Sequence, residues 1–289
     1  MQSRTRFGPR WLALSVVSAM AMLIAACGGD KPSSVDGSAL APPDQQVLRV
    51  RLTAEPKSID PHTISLAAET TLTKPLCAGL FSYDQELKVV PNLAAELPTD
   101  DNGGISKDGL TYTVKLNKDA KWSDGRAITA SDFVYSMQRA LDPAIAGPYA
   151  SFFHGILGAK DYNTAFGTKA APKTASPEEL ATMRARLGVT AKDASTIVYQ
   201  LREPNPSFLN LLALWTAFPV RQDIVEKFGS KWTEPGNNVS SGAFVLKEWA
   251  HEQRMVMEPN PHWAGEKAKL TKLVVNFIAD DAAAYAAYR

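Results

Sequence analysis

A mixed α/β fold with α+β character is predicted, and three observations predict it. Stretches at 47–52, 111–116 and 197–201 alternate apolar and polar residues with the two-residue period of half-buried strands. Between them lie apolar stretches with helical spacing, some opened by capping residues. Hydrophobic residues make up 45% of the 289, enough for one large core or two smaller lobes.

The elements follow in order. Leu48, Val50 and Leu52 share one strand face, and Arg49 and Arg51 the other. Pro56 and Pro61 break the pattern before a helix expected over 67–80. Phe81 and Tyr83, then Leu87, Val89 and Val90, flank polar residues and predict a hairpin. Tyr112, Val114 and Leu116 mark the next strand. Asp124-Gly125 is a strong turn dipeptide. After it, Thr129 as N-cap and Asp132 at N3 form a capping-box-like pair. Phe133, Val134, Met137 and Leu141 line one face of that helix, which ends before Pro143. Trp122, beside the turn, reads as a packing anchor rather than a ligand contact, because such a ring usually buries its area.

Residues 167–188 are polar and proline-marked, a surface excursion with a helix start at Ser176-Pro177-Glu178-Glu179. A strand at 197–201, a Leu-rich helix at 208–215, paired strands at 244–249 and 254–258, and a last strand at 272–278 complete the body. Asp280 can cap a helix that runs to Arg289 with no C-cap after it, as if the chain were cut there.

The N-terminus carries the most specific short signal. Arg4, Arg6 and Arg10 precede an apolar run at 11–26, which is short for a membrane span and right for a secretory signal. It ends in "LIAAC", similar to a bacterial lipobox, with Cys27 as the acylated residue; an ordinary signal peptide followed by a chance Cys is the blander reading. Residues 1–26 are thus expected to be a lipoprotein signal peptide, and 27–46, rich in Gly, Pro, Ser and Asp, a flexible tether. The three arginines lie in the removed segment, so a net +1 becomes −2. That balance gives no support for a nucleic-acid partner. With Cys27 acylated, Cys77 is left without a disulfide partner; in "PLCAGLF" it reads as a buried small hydrophobe.

An enzyme would need a catalytic constellation. His62, His154, His251 and His262 are present, but neither G-x-S-x-G nor H-E-x-x-H occurs. His62 reads as a turn residue and His251 as part of a polar hairpin turn. No His/Cys cluster has metal-ligand spacing. No catalytic residue, cofactor or metal is therefore expected.

Several stretches together resemble the family 5 solute-binding proteins of bacterial ABC importers, the oligopeptide-binding members above all. They are "SIDPHT" (58–63), "GLTYTVKLNKDAKWSDGRAITASDFVYSMQRALDP" (109–143), "GPYAS" (147–151), "EKFGSKWTEPGNNVSSGAFVLKEW" (226–249) and "NPHW" (260–263). The resemblance implies a periplasmic-binding-protein-like, two-lobe architecture. The first lobe would comprise 47–77 and 221–278, and an extra domain 78–220. Residues 279–289 would begin the crossing to a second lobe that this sequence lacks. It implies a lipid-anchored, monomeric receptor of the cell envelope that captures short peptides between lobes and delivers them to an ABC permease. Capture would rest on main-chain hydrogen bonds, which every peptide can make. The resemblance puts the backbone of Ser65, Leu66 and Ala67 against the ligand. No proline interrupts "TISLAAET", so every N–H there is expected to be free to donate. It also brings Tyr149, Ser241, Gly242 and Phe244 to the cleft. For Gly242 a strand-entry turn, and for Phe244 a core position, are the structural alternatives. Other readings are a binding-incompetent fragment of such a receptor, a nickel- or haem-type receptor of the family, and a hydrolase.

Overall fold

The computed structural model describes residues 41–167 and 171–288, so the expected leader and most of the expected tether lie outside the described residues. Nine strands and seven α-helices alternate along them.

Strand β1 (Val47–Leu52) pairs in parallel with β9 (Lys272–Phe277). Strand β9 is antiparallel to β8 (Arg254–Pro259), and β8 to β7 (Phe244–Ala250), giving a sheet of order β1-β9-β8-β7. Parallel partners need a crossover, and here the connection from β1 to β9 contains all the other described strands. Helix α1 (Ala67–Leu76) packs on this sheet, and Leu72, Leu76, Leu246, Met255, Met257 and Val275 share one buried cluster. The helix expected over 67–80 stops at Leu76: Pro75 occupies its last turn and Cys77 turns extended, with φ −125° and ψ 134°.

Strands β2 (Phe81–Tyr83) and β3 (Val89–Pro91) form the hairpin. Leu87 sits in its turn at φ 61°, 80% exposed, rather than on the strand face. Strand β4 (Thr111–Lys115), β5 (Val189–Asp193) and β6 (Thr196–Gln200) make an antiparallel sheet of order β4-β6-β5. Helix α2 (Ala130–Ala140) lies against it. Tyr112, Trp122, Phe133, Tyr162, Tyr199 and Phe208 are buried in a second, separate cluster. Trp122 is 1% exposed. Burial of a ring that size contributes roughly 4–6 kcal/mol of transfer free energy, which outweighs any surface contact it could offer.

The α2 start differs in detail from the expected box. Thr129 N–H donates to Asp132 Oδ2 at 2.8 Å, as a box requires, but the Thr129 hydroxyl also donates to that oxygen at 3.0 Å instead of accepting from the helix. Asp132 has further donors to satisfy: Trp122 Nε1 at 3.3 Å and the Arg126 guanidinium. Gly125, at φ 89°, closes the preceding turn with its N–H on Trp122 O.

Helices α3 (Ala159–Asn163) and α4 (Pro177–Ala185) follow. Helix α4 has no buried residue and is capped by Ser176 and Glu179 reciprocally. Helix α5 (Phe208–Leu212) is shorter than expected and gives way to a 3₁₀ turn at Trp215–Ala217. Helix α6 (Gln222–Phe228) precedes β7, and α7 (Asp281–Tyr288) ends the described chain, with Asp280 accepting from Ala283 N–H. Within the span expected to be tether, Pro43–Gln45 is a 3₁₀ turn, and Thr271 bonds the carbonyls of Pro43 and Gln46. Among the described residues no helix is long and apolar enough to cross a membrane.

Candidate functional site

The loop before α1 is held by its own side chains. Ser58 Oγ accepts from Asp60 N–H, and Asp60 Oδ1 from His62 N–H, both at 3.0 Å. The N–H groups of Thr63 and Ile64 turn back onto Asp60 O. Ser65 and Leu66 then both donate to Glu69 Oε2 at 2.9 Å. This corrects the expectation that every N–H of "TISLAAET" is free. The glutamate three residues into the helix takes two donors, the returning half of a capping box. Among the described residues, Ala67 N–H meets no acceptor.

Residues 65–67 are exposed, Leu66 by 56%. Tyr149 comes to them: its hydroxyl donates to Ser65 O at 3.4 Å. Its ring meets Trp215 and Phe152 edge-on, with centroids 5.0 and 5.4 Å apart. Tyr149, Phe152 and Trp215 thus form an aromatic floor beside the exposed backbone.

The other predicted residues sit differently. Ser241 is fully buried, and its hydroxyl accepts from Ala78 N–H at 3.0 Å and donates to Ala78 O at 3.3 Å. Gly242 is threaded against the end of α1: a Cβ there would lie 2.6 Å from Pro75 O and 2.8 Å from Cys77 N. Its carbonyl accepts from Asn260 Nδ2. Ser241 and Gly242 therefore stitch the entry of β7 to residues 75–78. Phe244 is half-buried and packs on the sheet cluster, as Trp215 does.

A buried polar cluster was not legible in the sequence. Arg139, in the last turn of α2, forks onto Asp60, with NH2 to Oδ2 at 2.6 Å and NH1 to Oδ1 at 3.0 Å. Its NH1 also donates to His62 Nδ1 at 2.8 Å. His62 Nε2–H then donates to Phe218 O at 3.2 Å, which fixes a neutral tautomer. Burial, with the Arg139 charge beside it, pushes the His62 pKa down to about 4. Burial alone would raise Asp60, but the hydrogen bonds and charge of Arg139 hold it below the usual carboxylate range. Trp232 Nε1 lies 3.4 Å from Asp60 Oδ2, and Arg139 lies 5.9 Å from the Trp232 ring centre.

A cavity of about 760 Å³ lies elsewhere than the predicted residues, and none of them lines it. Glu55, Asp60, Arg139, Trp232, Glu234 and His251 are among its walls. In it, Glu55 accepts from Trp249 Nε1 and His251 Nδ1, each at 2.6 Å, and from Glu252 N–H at 2.8 Å. His251 Nε2 faces Glu234 at 3.5 Å. The Glu55 hydrogen bond, with both carboxylate charges, raises the His251 pKa. His154 bonds Asn163, and His262 abuts Gly125, so the four histidines stand in different places. Among the described residues no group of three acidic, His or Cys side chains could hold a metal ion. Cys77 is buried, and burial pushes its pKa up to about 12.

The chain resembles known proteins along most of its length. The periplasmic oligopeptide-binding protein OppA of Escherichia coli (strain K12) is 36% identical over 280 residues, covering 96% of this chain and 47% of OppA. The periplasmic murein peptide-binding protein MppA of the same organism is 33% identical, covering 94% and 47%. Among solved structures, the unliganded open form of MppA superposes with a TM-score of 0.70 at 33% identity, over 86% of this chain and 44% of that one. Listeria monocytogenes OppA bound to peptide gives 0.72 at 29% identity, over 84% and 44%. The chain spans about half the length of the curated relatives it matches. A family model, bacterial extracellular solute-binding proteins, family 5 Middle, matches residues 88–289. The mixed sheets and these matches agree: the chain belongs to the family 5 bacterial extracellular solute-binding proteins.

Proposed function

We propose that this chain is the peptide-receiving part of a substrate-binding lipoprotein serving an ABC importer. The observation that carries the reading is the exposed backbone at 65–67, with an open Ala67 N–H and the Tyr149 hydroxyl on Ser65 O. An extended peptide can pair with such backbone whatever its side chains. Waters in roomy surroundings can then adapt to those side chains. Residues 65–67 and Tyr149 are the ligand contacts. Ser241, Gly242 and Phe244 support the surface from behind, Ser241 and Gly242 through the bonds to 76–78 and Phe244 through its packing.

In this reading residues 47–77 and 221–278 form the first lobe and 78–220 the extra domain. The sheet cluster and the second cluster divide near 78 and 218, which supports the boundary. Cys27 carries the lipid that holds a monomeric receptor at a cell-envelope membrane, and a permease takes the peptide from it. The chain performs no catalysis. That OppA and MppA are described as peptide-binding favours peptides over other solutes.

Calorimetric titration with a pool of mixed di- to pentapeptides is the test. Binding that is insensitive to side chain and weakened by Tyr149→Ala is the expected result. No heat with any pool, from this chain or from a longer form containing it, would sink the reading.

A further inference from the structure

We propose that the Asp60–Arg139 ion pair is a positioning device that fixes the ligand-facing segment 63–67 and Tyr149 relative to each other. The ligand in this statement rests on the peptide-receptor reading above; the positioning of the segment does not.

The geometry carries it. Arg139 leaves α2, whose buried face belongs to the second cluster. Asp60 lies in the loop that feeds α1, and its neighbour Ile59 belongs to the sheet cluster. The fork therefore ties the two clusters at one point, with direction as well as distance set by two parallel bonds. His62 extends the tie, accepting from Arg139 and donating to Phe218 O of the sheet cluster. The same loop also locates Tyr149. Gly147 packs so closely on His62 that a Cβ would lie 2.5 Å from the His62 carbonyl oxygen. Two residues later Tyr149 reaches back to Ser65 O. One buried cluster thus abuts both sides of the exposed surface.

Stability alone is a poor reason for such a pair. Desolvating two charges offsets most of their attraction, and apolar replacements of similar volume are often as stable. That difference separates positioning from mere support. Asp60→Leu with Arg139→Met should stay folded, its loss in melting temperature set by the His62 and Trp232 groups left without partners rather than by the ion pair. Hydrogen exchange at the Ser65 and Leu66 amides should nevertheless become at least ~10-fold faster, because the loop opens locally without global unfolding. Affinity for the mixed peptide pool should fall by a similar factor. Unchanged exchange in a stably folded double variant would overturn the proposal. If the double variant does not fold, Arg139→Lys decides, since it keeps the charge and loses the fork. Faster exchange in that variant supports positioning, and exchange as in the parent overturns it. If the parent binds no peptide, the receptor reading falls while the exchange result still decides this one.

Discussion

His62 and His251 both read as turn histidines, and their surroundings give them opposite chemistry. His62 is 1% exposed, between a guanidinium and a backbone carbonyl, and its pKa is driven down to about 4. His251 stands largely in solvent between Glu55 and Glu234, and its pKa is raised. The lesson is about partners. Burial with a cation beside it keeps an imidazole neutral, whereas exposure between carboxylates favours the charged form. The first histidine is a fixed strut. The second is a titrating clasp that holds the β7–β8 turn to the loop after β1.

The contrast can be broken most forcefully at the strut. Arg139→Met leaves Asp60 buried without its cation and should cost about 3–5 kcal/mol, read by chemical denaturation. A loss below about 1 kcal/mol would mean that water or a rearranged side chain already compensates the carboxylate. Next comes the stitching behind the surface. Gly242→Ala drives a Cβ into backbone atoms of 75–77 that cannot rotate away, so about 1–3 kcal/mol is expected in the same assay.

The pH effects separate the two histidines by sign, and the smaller of them is at His251. For His62, the unfolded chain takes up a proton near pH 6.5 that the folded chain refuses until about 4. Its stabilising contribution is therefore complete above 6.5 and declines as acid is added across that window. For His251 the folded form keeps its proton to higher pH than the unfolded value of 6.5. Its contribution is present below 6.5 and declines as pH rises through the raised value. Exposed pairs of this kind contribute under about 1 kcal/mol. In melting curves against pH, His251→Gln should flatten the alkaline side alone, and a flattened acid side would reverse the assignment.

Much of the fold was legible because periodicity and turn chemistry are local. The strands at 47–52, 111–115 and 196–200, the Asp124-Gly125 turn and the Ser176–Glu179 cap follow from neighbours in sequence. Strand β5 was not foreseen: only Val189 on it is buried, so no alternation marks it. The candidate surface was legible only as a place. Its donors were misjudged because the absence of proline shows which N–H groups exist, not where they point. Glu69 claims two of them through a local motif that nothing but geometry could establish. The Asp60–His62–Arg139 cluster stayed hidden because it spans 79 positions of sequence.

Glu69 has one more effect. By drawing the amide hydrogens of Ser65 and Leu66 inward, it leaves Ala67, at the start of α1, to offer its N–H beside the lightly used lone pairs of Ser65 O. A visiting molecule meets one donor and one acceptor side by side. An extended backbone, which carries both, suits that pair, while a proline-led segment, short of an N–H, fits it less well.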